Sequence, residues 1–261
     1  MLIITEDHEA WMAAGLHERL GRRVECELRS AGAIRDEDLG WLVARRLVFV
    51  RSRSPRLLRI LARVERRGCQ VVNRVSAIRR ARHRATAIAR VASAGVPVAR
   101  DYEGPLHALP FRRAVLKRRF DNGEAHAVTH APSTPRERGG ARSKAIVYAQ
   151  EFVASEWEHK LYIVGAEAFA FVQRPTLLDP DARSTRRRVQ ADPALADSAR
   201  SAAQALGLEV AGVDFLVGED GVARVTDINS NQGLHTFAEG FEALEALLLH
   251  RYEHAALGMV L

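Results

Sequence analysis

The stretch Gly207-Leu-Glu-Val-Ala-Gly-Val-Asp-Phe-Leu216 and the segment Thr226-Asp-Ile-Asn-Ser-Asn-Gln-Gly-Leu234 shortly after it decide the fold. Two apolar runs, 211–217 and 222–228, flank the turn Gly218-Glu-Asp-Gly221. Short apolar runs on either side of a glycine-bounded turn are typical of an antiparallel β-hairpin. We therefore expect these two runs to pair as neighbouring strands.

Three oxygen-bearing side chains lie on this predicted hairpin: Asp214, Asp227 and Asn229. Asp227 and Asn229 are two residues apart on an extended chain, so their side chains leave the same face, and strand pairing brings Asp214 alongside. Carboxylate and amide oxygens suit Mg²⁺, and Mn²⁺ accepts the same ligands. Alternatively, the three residues only cap strands and turns. Asp214 counts against this alternative, because it interrupts an apolar strand where an unpaired carboxylate is costly to bury.

The remaining sequence predicts an α/β architecture. Residues 1–72 alternate strand, helix, strand, helix and strand, which is typical of a small α/β domain. One Ala- and Arg-rich helix is predicted over 76–94, and another helix over 194–206 ends at Gly207. Residues 161–172 predict a second hairpin. Two hairpins among helices require antiparallel pairing, so we expect an α/β (α+β) fold rather than a purely parallel doubly wound sheet.

Composition narrows the class of protein. The chain has 261 residues, 47% of them hydrophobic, and a formal net charge of +7. The charge indicates an anionic partner, but the arginines are spread along the chain, so nucleic acid is not the expected partner. No apolar stretch approaches the length of a bilayer crossing. Cys26 and Cys69 are too few for a disulfide framework or a zinc site, so we expect a cytoplasmic protein without membrane contact.

The hairpin and its exit, 207–216 and 226–234, look like the C-terminal signature of ATP-grasp enzymes. They are most similar to the RimK-type glutamate ligases and the related glutathione synthases. Shorter matches precede them in the family's order: Val71-Val-Asn73, Ala94-Gly-Val-Pro97, Val115-Leu-Lys117, Gln150-Glu-Phe-Val153 and Glu158-His-Lys-Leu-Tyr-Ile-Val-Gly165. The resemblance covers residues 71 to about 240.

This resemblance implies an ATP-grasp fold that holds the nucleotide between two sheets. It places an N-terminal α/β domain at 1–72 and the ATP-grasp domain at 73–261, with a lid subdomain at about 100–153. The implied cofactors are ATP and Mg²⁺, and the positions implied to contact the nucleotide are Arg84, Lys117, Gln150, Glu151, Phe152, Val153 and Glu158.

The resemblance also implies catalytic and substrate contacts. Lys160 and Arg174 would hold the transferring phosphoryl group and the acceptor, and an acidic small-molecule or peptide substrate would contact Arg174, Arg186, Arg188 and Ser230. Such transfers depend on positioning and charge neutralisation. Without the family pattern, solvated charges at strand edges are the favoured interpretation of Lys117, Lys160 and Arg174.

Several positions depart from the family pattern. His83-Arg84 stands where relatives carry an Asp-Lys pair, and Arg84 keeps the charge without the compact ammonium. Gly123 is the only glycine of the lid turn 120–124, so fewer backbone amides can approach a phosphate. Asp227 is one methylene shorter than the usual glutamate. The arginine-rich stretch 183–188 replaces an Asn- and Gly-rich acceptor loop, and 131–144 is predicted to be a surface loop.

Three functions follow from the resemblance. The first is a carboxylate–amine ligase that forms an amide or peptide bond through an acyl phosphate. The second is a small-molecule kinase, because Lys160-Leu-Tyr-Ile-Val-Gly165 and Gln173-Arg-Pro-Thr176 also resemble the inositol trisphosphate kinase branch of the fold. The third is an ATP-binding module without activity, which the changes at His83-Arg84 and in the lid would explain. Analogy with relatives allows a homo-oligomer.

Overall fold

A computed structural model of the chain describes residues 1–7, 10–120, 127–130, 146–179, 181–230, 233–234 and 237–256. Three β-sheets lie within these ranges. The predicted loop at 131–144 and residues 121–124 of the predicted lid turn lie outside them. Among the described helices, none combines the length and the apolar character that a bilayer crossing needs.

The N-terminal sheet is parallel, with the strand order β2-β1-β3-β4. Its strands are β1 Leu2–Thr5, β2 Glu27–Ser30, β3 Leu47–Arg51 and β4 Gln70–Val72, and its helices are α1 Ala10–Gly21, α2 Leu39–Val43 and α3 Pro55–Glu65. Strands β1 and β3 are buried along their whole length, which explains their continuous apolar sequence. Strand β2 was not predicted, because it is a polar strand at the sheet edge.

The single helix predicted over 76–94 is wrong: two helices, α4 Val75–Arg82 and α5 Arg84–Ser93, meet at His83. The backbone of His83 leaves the helical region, with φ −94° and ψ 98°. Its Nδ1 accepts the Thr86 backbone N–H at 3.2 Å, and its backbone forms a bridge with Phe120. The break therefore depends on an N-cap and on a contact distant in sequence.

The second sheet is small and antiparallel, with the order β5-β8-β6-β7. Its strands are β5 Asp101–Pro105, β6 Arg113–Lys117, β7 Ala127–His130 and β8 Ile146–Glu151. A separate apolar cluster that includes Leu109, Phe111, Ala114 and Ala149 supports it. We call this sheet the lid sheet.

The third sheet, called here the large sheet, is antiparallel and contains both predicted hairpins. Its order is β11-β10-β9-β12-β13. The strands are β9 Glu158–Val164, β10 Glu167–Gln173, β11 Arg187–Val189, β12 Val210–Val217 and β13 Ala223–Asn229. Helix α6 Pro193–Leu206 ends at Gly207, whose φ of 73° is left-handed and suits glycine. The last described helix is α7 Ala238–Ala256.

The two faces of the large sheet have different partners. Leu161, Val213 and Phe215 pack in one core with the alanine-rich face of α6. On the opposite face, Tyr162 and Phe169 share a core with the N-terminal sheet and α7. Val164, Phe171 and Val210 belong to the same core, and the remaining part of this face, with Glu158, Lys160, Asp214 and Asp227, is polar.

A buried asparagine connects β4 to β12. The Asn73 Nδ2 donates to the carbonyls of Val210 at 2.7 Å and Ser230 at 3.2 Å, and its Oδ1 accepts the N–H groups of Glu209 at 2.8 Å and Val210 at 2.9 Å. This amide fixes the N-terminal sheet against the start of β12.

A bulge interrupts the ladder between β12 and β13. Asp214 pairs with Asp227, but the next pair is Phe215 with Val225, so Thr226 has no residue opposite it. The extra residue shifts the alternation of side chains. As a result, Asp227 shares a face with Asp214, while Val225 joins Phe215 in the core.

Candidate active site

A row of side chains crosses the polar face of the large sheet. The strand register places Phe171 opposite Lys160, Lys160 opposite Asp214, and Asp214 opposite Asp227. Paired residues of adjacent strands point to the same face. The structure therefore brings the predicted Lys160, Asp214 and Asp227 side by side.

Lys160 forms the centre of the row. Its Nζ lies 2.7 Å from Asp214 Oδ2 and 3.2 Å from Glu158 Oε1. Glu158 is in turn held by Gln173, whose Nε2 donates to Glu158 Oε2 at 3.1 Å. Burial lowers the pKa of Lys160, but Asp214 and Glu158 outweigh burial and raise it above its ordinary value. Burial raises the pKa of Asp214 to about 6, although Lys160 opposes this shift.

Cations from two other parts of the chain meet the far end of the row. Arg84, the first residue of α5, donates to Asp227 Oδ1. The Asn229 Nδ2 donates to Asp227 Oδ2 at 3.0 Å, and Arg53 donates to Asn229 Oδ1 at 3.1 Å. The three predicted oxygen donors therefore lie together among positive charges. In the described ranges, no group of three or more His, Cys, Asp or Glu residues could hold a metal ion.

Lys117 reaches the same place from the lid sheet. Its Nζ donates to the carbonyl of Thr226 at 2.7 Å, the residue that the bulge leaves unpaired. Burial lowers the pKa of Lys117 to about 8, with Asp227 raising it and Arg84 lowering it further. The cleft between the lid sheet and the large sheet thus contains three cations, Arg84, Lys117 and Lys160, and three carboxylates, Glu158, Asp214 and Asp227, of the predicted site.

The predicted base-binding segment lies on β8 and just after it. Gln150 is buried opposite Val115, and its Oε1 has no hydrogen-bond partner among the described residues. The Glu151 carboxylate binds Arg100 at 2.6 and 2.8 Å, a hydrogen-bonded contact that lowers the Glu151 pKa. The N–H groups of Glu151 and Phe152 donate to the carbonyls of Arg100 and Arg113. Backbone contacts to a base would therefore come from carbonyls or from Val153.

The predicted substrate arginines lie at the other end of the row. Arg188 pairs with Phe171 across β10–β11, and its guanidinium lies about 5 Å from the rings of Phe169, Phe171 and Phe237. Arg186 donates to the Tyr162 hydroxyl and stacks 4.7 Å from Phe171. In the part of the chain that the structure describes, no carboxylate lies within 4.0 Å of either guanidinium. Both can accept an external anion.

Two predicted residues are placed differently. Arg174 does not join the row: its half-exposed side chain pairs with Glu156 at 3.2 Å and stacks 4.7 Å from the Trp157 ring. Ser230 is buried, and its carbonyl accepts from Asn73.

Sequence reasoning missed Arg53, Gln173 and Asn73. Arg53 had a usable signal, because it follows the buried strand β3, and ligands of α/β folds bind beyond the carboxyl ends of such strands. Gln173 and Asn73 act through contacts that only the folded chain reveals.

No protein-family model matches the chain, and no curated protein matches it either. Solved structures do. The ATP-grasp ligase PsnB, complexed with a minimal precursor, Mg and ADP, is 18% identical, with a TM-score of 0.73 over 96% of this chain and 97% of PsnB. D-cycloserine synthetase DcsG is 19% identical, with a TM-score of 0.72 over 96% and 99%. A RimK domain ATP-grasp protein from Sphaerobacter thermophilus is 17% identical, with a TM-score of 0.70 over 95% and 99%.

These similarities extend over nearly the full length of each pair, and they include the sheets that form the cationic cleft. At such low identity they establish the architecture. This chain has the ATP-grasp fold.

Proposed function

We propose that the chain is a Mg²⁺- and ATP-dependent carboxylate–amine ligase that acts on an acidic small molecule or peptide. The observation that carries this proposal is the row on the large sheet. One end presents carboxylates among Lys117, Arg84 and Lys160, and the other presents the two aromatic-stacked arginines. A polyphosphate and a carboxylate can therefore bind next to each other along one face.

The residues fit a magnesium nucleotide. The Gln150 Oε1 is a buried acceptor without a partner among the described residues, and an adenine amino group would satisfy it. Lys117 and Arg84 are placed to contact phosphates. Asp214, Asp227 and Asn229 would hold magnesium through oxygen. The bound ion would supply charge neutralisation of the phosphates.

The proposed reaction has two steps. An oxygen of the acceptor carboxylate, oriented by Arg186 and Arg188, attacks the γ-phosphorus of ATP, and the bond from that phosphorus to the β-phosphate oxygen breaks. The products are an acyl phosphate and ADP. An amine then attacks the acyl carbon, inorganic phosphate leaves, and the amine loses a proton to give the amide. The Lys160 ammonium neutralises negative charge on the transferring phosphoryl group, and such neutralisation accelerates phosphoryl transfer.

The structural neighbours support this choice. PsnB is an ATP-grasp ligase whose structure has been solved in complex with the precursor peptide PsnA2, which favours a peptide acceptor for the present chain. DcsG is a synthetase for D-cycloserine, so a small acceptor is compatible with the same fold. The arginines of the row favour an acidic acceptor in either case.

Trapping with hydroxylamine tests the proposal. The chain is incubated with ATP, Mg²⁺, hydroxylamine and either Glu- or Asp-containing peptides or small dicarboxylic acids. We expect a hydroxamate and ADP, because hydroxylamine intercepts an acyl phosphate. Asp227→Ala should abolish the product, whereas Asp220→Ala, an exposed carboxylate at the turn of the same hairpin, should not.

Other results would replace the proposal. An acid-stable phosphorylated alcohol without hydroxamate would identify a kinase. If no product forms, calorimetry with Mg²⁺-ATP tests whether the chain still binds the nucleotide. Equal nucleotide binding by the wild type and Asp227→Ala, with no product from any acceptor, would remove the metal site and leave a non-catalytic module.

A further inference from the structure

The backbone that carries Arg84 is tied to the end of strand β6. The N–H of Arg84 donates to the carbonyl of Arg119 at 3.2 Å, and His83 forms an isolated antiparallel bridge with Phe120. Arg84 is the first residue of α5, so its N–H has no acceptor within the helix. Arg119 supplies that acceptor from a part of the chain that is distant in sequence. We call this contact the α5–β6 junction.

Side chains reinforce the junction. The Arg119 Nε donates to Nε2 of His83 at 3.2 Å, and another nitrogen of the same guanidinium lies 3.2 Å from Glu103 Oε1 on β5. The ring of Phe120 meets that of His83 edge-on, with 5.3 Å between the centroids and 83° between the planes. The Arg82 guanidinium lies 6.0 Å from the centroid of Phe120. These contacts hold the lid sheet against the start of α5.

His83 has two separable roles at this place. The cap of α5 needs an acceptor at Nδ1, which faces the Thr86 N–H at 3.2 Å, whereas the contact with Arg119 needs an acceptor at Nε2. A neutral imidazole has only one acceptor nitrogen. The ring therefore satisfies one of these two donors fully at a time. A side chain that keeps only the cap can distinguish the two roles.

The junction sets the spacing of the two cations that are proposed to contact phosphates. Arg84 extends from α5 to Asp227, and Lys117, the last residue of β6, reaches the Thr226 carbonyl at 2.7 Å. Arg119 is only two residues beyond Lys117, so its bond to α5 ties the backbones of the two cations to each other. A long side chain has many rotamers, and a fixed backbone restricts where its charge can lie.

We propose that His83 is a positioning residue for nucleotide binding. By holding Arg119 and Phe120 against the first turn of α5, it keeps Arg84 and Lys117 at the spacing that the phosphates of Mg²⁺-ATP require. His83 acts through Arg84 and not through a contact of its own with the nucleotide. The inference rests on the proposed function, because it concerns the nucleotide of that reaction.

Calorimetry with Mg²⁺ and a non-hydrolysable ATP analogue tests the inference on the full chain. We expect His83→Ala and Phe120→Ala to raise the Kd roughly threefold to tenfold, because the cations lose their preorganisation. Asparagine caps helices well but has no ring, so His83→Asn should raise the Kd as His83→Ala does. The control is His250→Ala, which removes an exposed imidazole that contacts His254 on α7 and should bind as the wild type does.

Two further readouts separate positioning from a loss of stability. In the hydroxylamine assay, His83→Ala should raise the KM for ATP and leave the KM for the acceptor unchanged. In an Arg84→Ala background, adding His83→Ala should weaken nucleotide binding no further. A wild-type Kd in His83→Asn, an equal rise of both KM values, or equal weakening by His83→Ala with and without Arg84 overturns the inference alone.

Hydrogen exchange tests the junction without nucleotide. The amide of Arg84, bonded to the Arg119 carbonyl, should exchange roughly tenfold faster in Phe120→Ala than in the wild type, because the opened junction exposes it. An unchanged rate also overturns the inference alone. A wild-type chain that binds no nucleotide while the exchange rates differ as expected overturns the proposed function, and the role of His83 in nucleotide binding with it.

Discussion

Replacing Lys160 with methionine removes the cation between two buried carboxylates. The side chains of Lys160, Asp214 and Glu158 are 16%, 14% and 11% exposed, and the ammonium lies 2.7 and 3.2 Å from the two acids. Breaking a buried pair by removing one partner costs about 3–5 kcal/mol, because the remaining charge stays buried. We expect the free energy of unfolding of Lys160→Met to fall by this amount at pH 7.5.

The assay is urea unfolding followed by tryptophan fluorescence in metal-free buffer. Arg224→Met is the control, since its partner Asp220 is 51% exposed and such surface pairs contribute less than about 1 kcal/mol. Adding Asp214→Asn to Lys160→Met should restore roughly 1–3 kcal/mol as coupling energy.

The pH dependence has a definite sign. Burial already raises the Asp214 pKa to about 6 in the presence of Lys160, above its value in the unfolded chain. Without the ammonium this pKa rises further, so the folded variant binds more protons than the unfolded one. Its stability should therefore increase as the pH falls from 7.5 to 5. Equal losses in Lys160→Met and Arg224→Met, or no rescue by Asp214→Asn, would refute the reasoning.

Three further results are expected. Because burial lowers the Lys117 pKa to about 8, kcat/KM for Mg²⁺-ATP should fall above that pH as the ammonium loses its proton. Lys117→Arg should remove this decrease from the pH profile. If the decrease is unchanged in Lys117→Arg, another group causes it. Arg188→Ala should raise the acceptor KM about tenfold with little change for ATP, whereas Arg187→Ala, on the opposite face, should not; equal effects would contradict the role of the row. Asn73→Ala should cost about 2–4 kcal/mol in urea unfolding, since it leaves buried backbone groups unpaired, and a loss below about 1 kcal/mol would show that water replaces the amide.

Local sequence patterns were sufficient for the parts of the fold that form between neighbours in the chain. The hairpins β9–β10 and β12–β13 follow from short apolar runs around glycine turns, and Gly207 marked the end of α6 correctly. The break at His83 was missed because alanine and arginine continue on both sides of it, and its cause includes a bridge to Phe120. Strand β2 was missed because its sequence is polar.

The candidate site was likewise predictable only where its residues lie on neighbouring segments of the chain. The predicted pairing of the two hairpin strands was enough to place Asp214 next to Asp227. It could not show that β9 lies on the other side of β12, which is why the Lys160–Asp214 pair was not foreseen. The contact between Arg84 and Asp227 joins residues 143 positions apart. Such contacts depend on strand order and domain packing, neither of which leaves a local pattern.

The acceptor that Lys117 uses on the large sheet is a main-chain oxygen, that of Thr226. Exchanging the amino acid at position 226 leaves that oxygen in place, whereas deleting the residue would eliminate it by making the ladder regular. The Lys117 contact therefore constrains the number of residues between Val225 and Asp227 and not the identity of residue 226, whose hydroxyl has a separate contact with the Asp214 carbonyl at 3.2 Å. In an alignment of relatives, this anchor would be visible as a conserved spacing and not as a conserved letter.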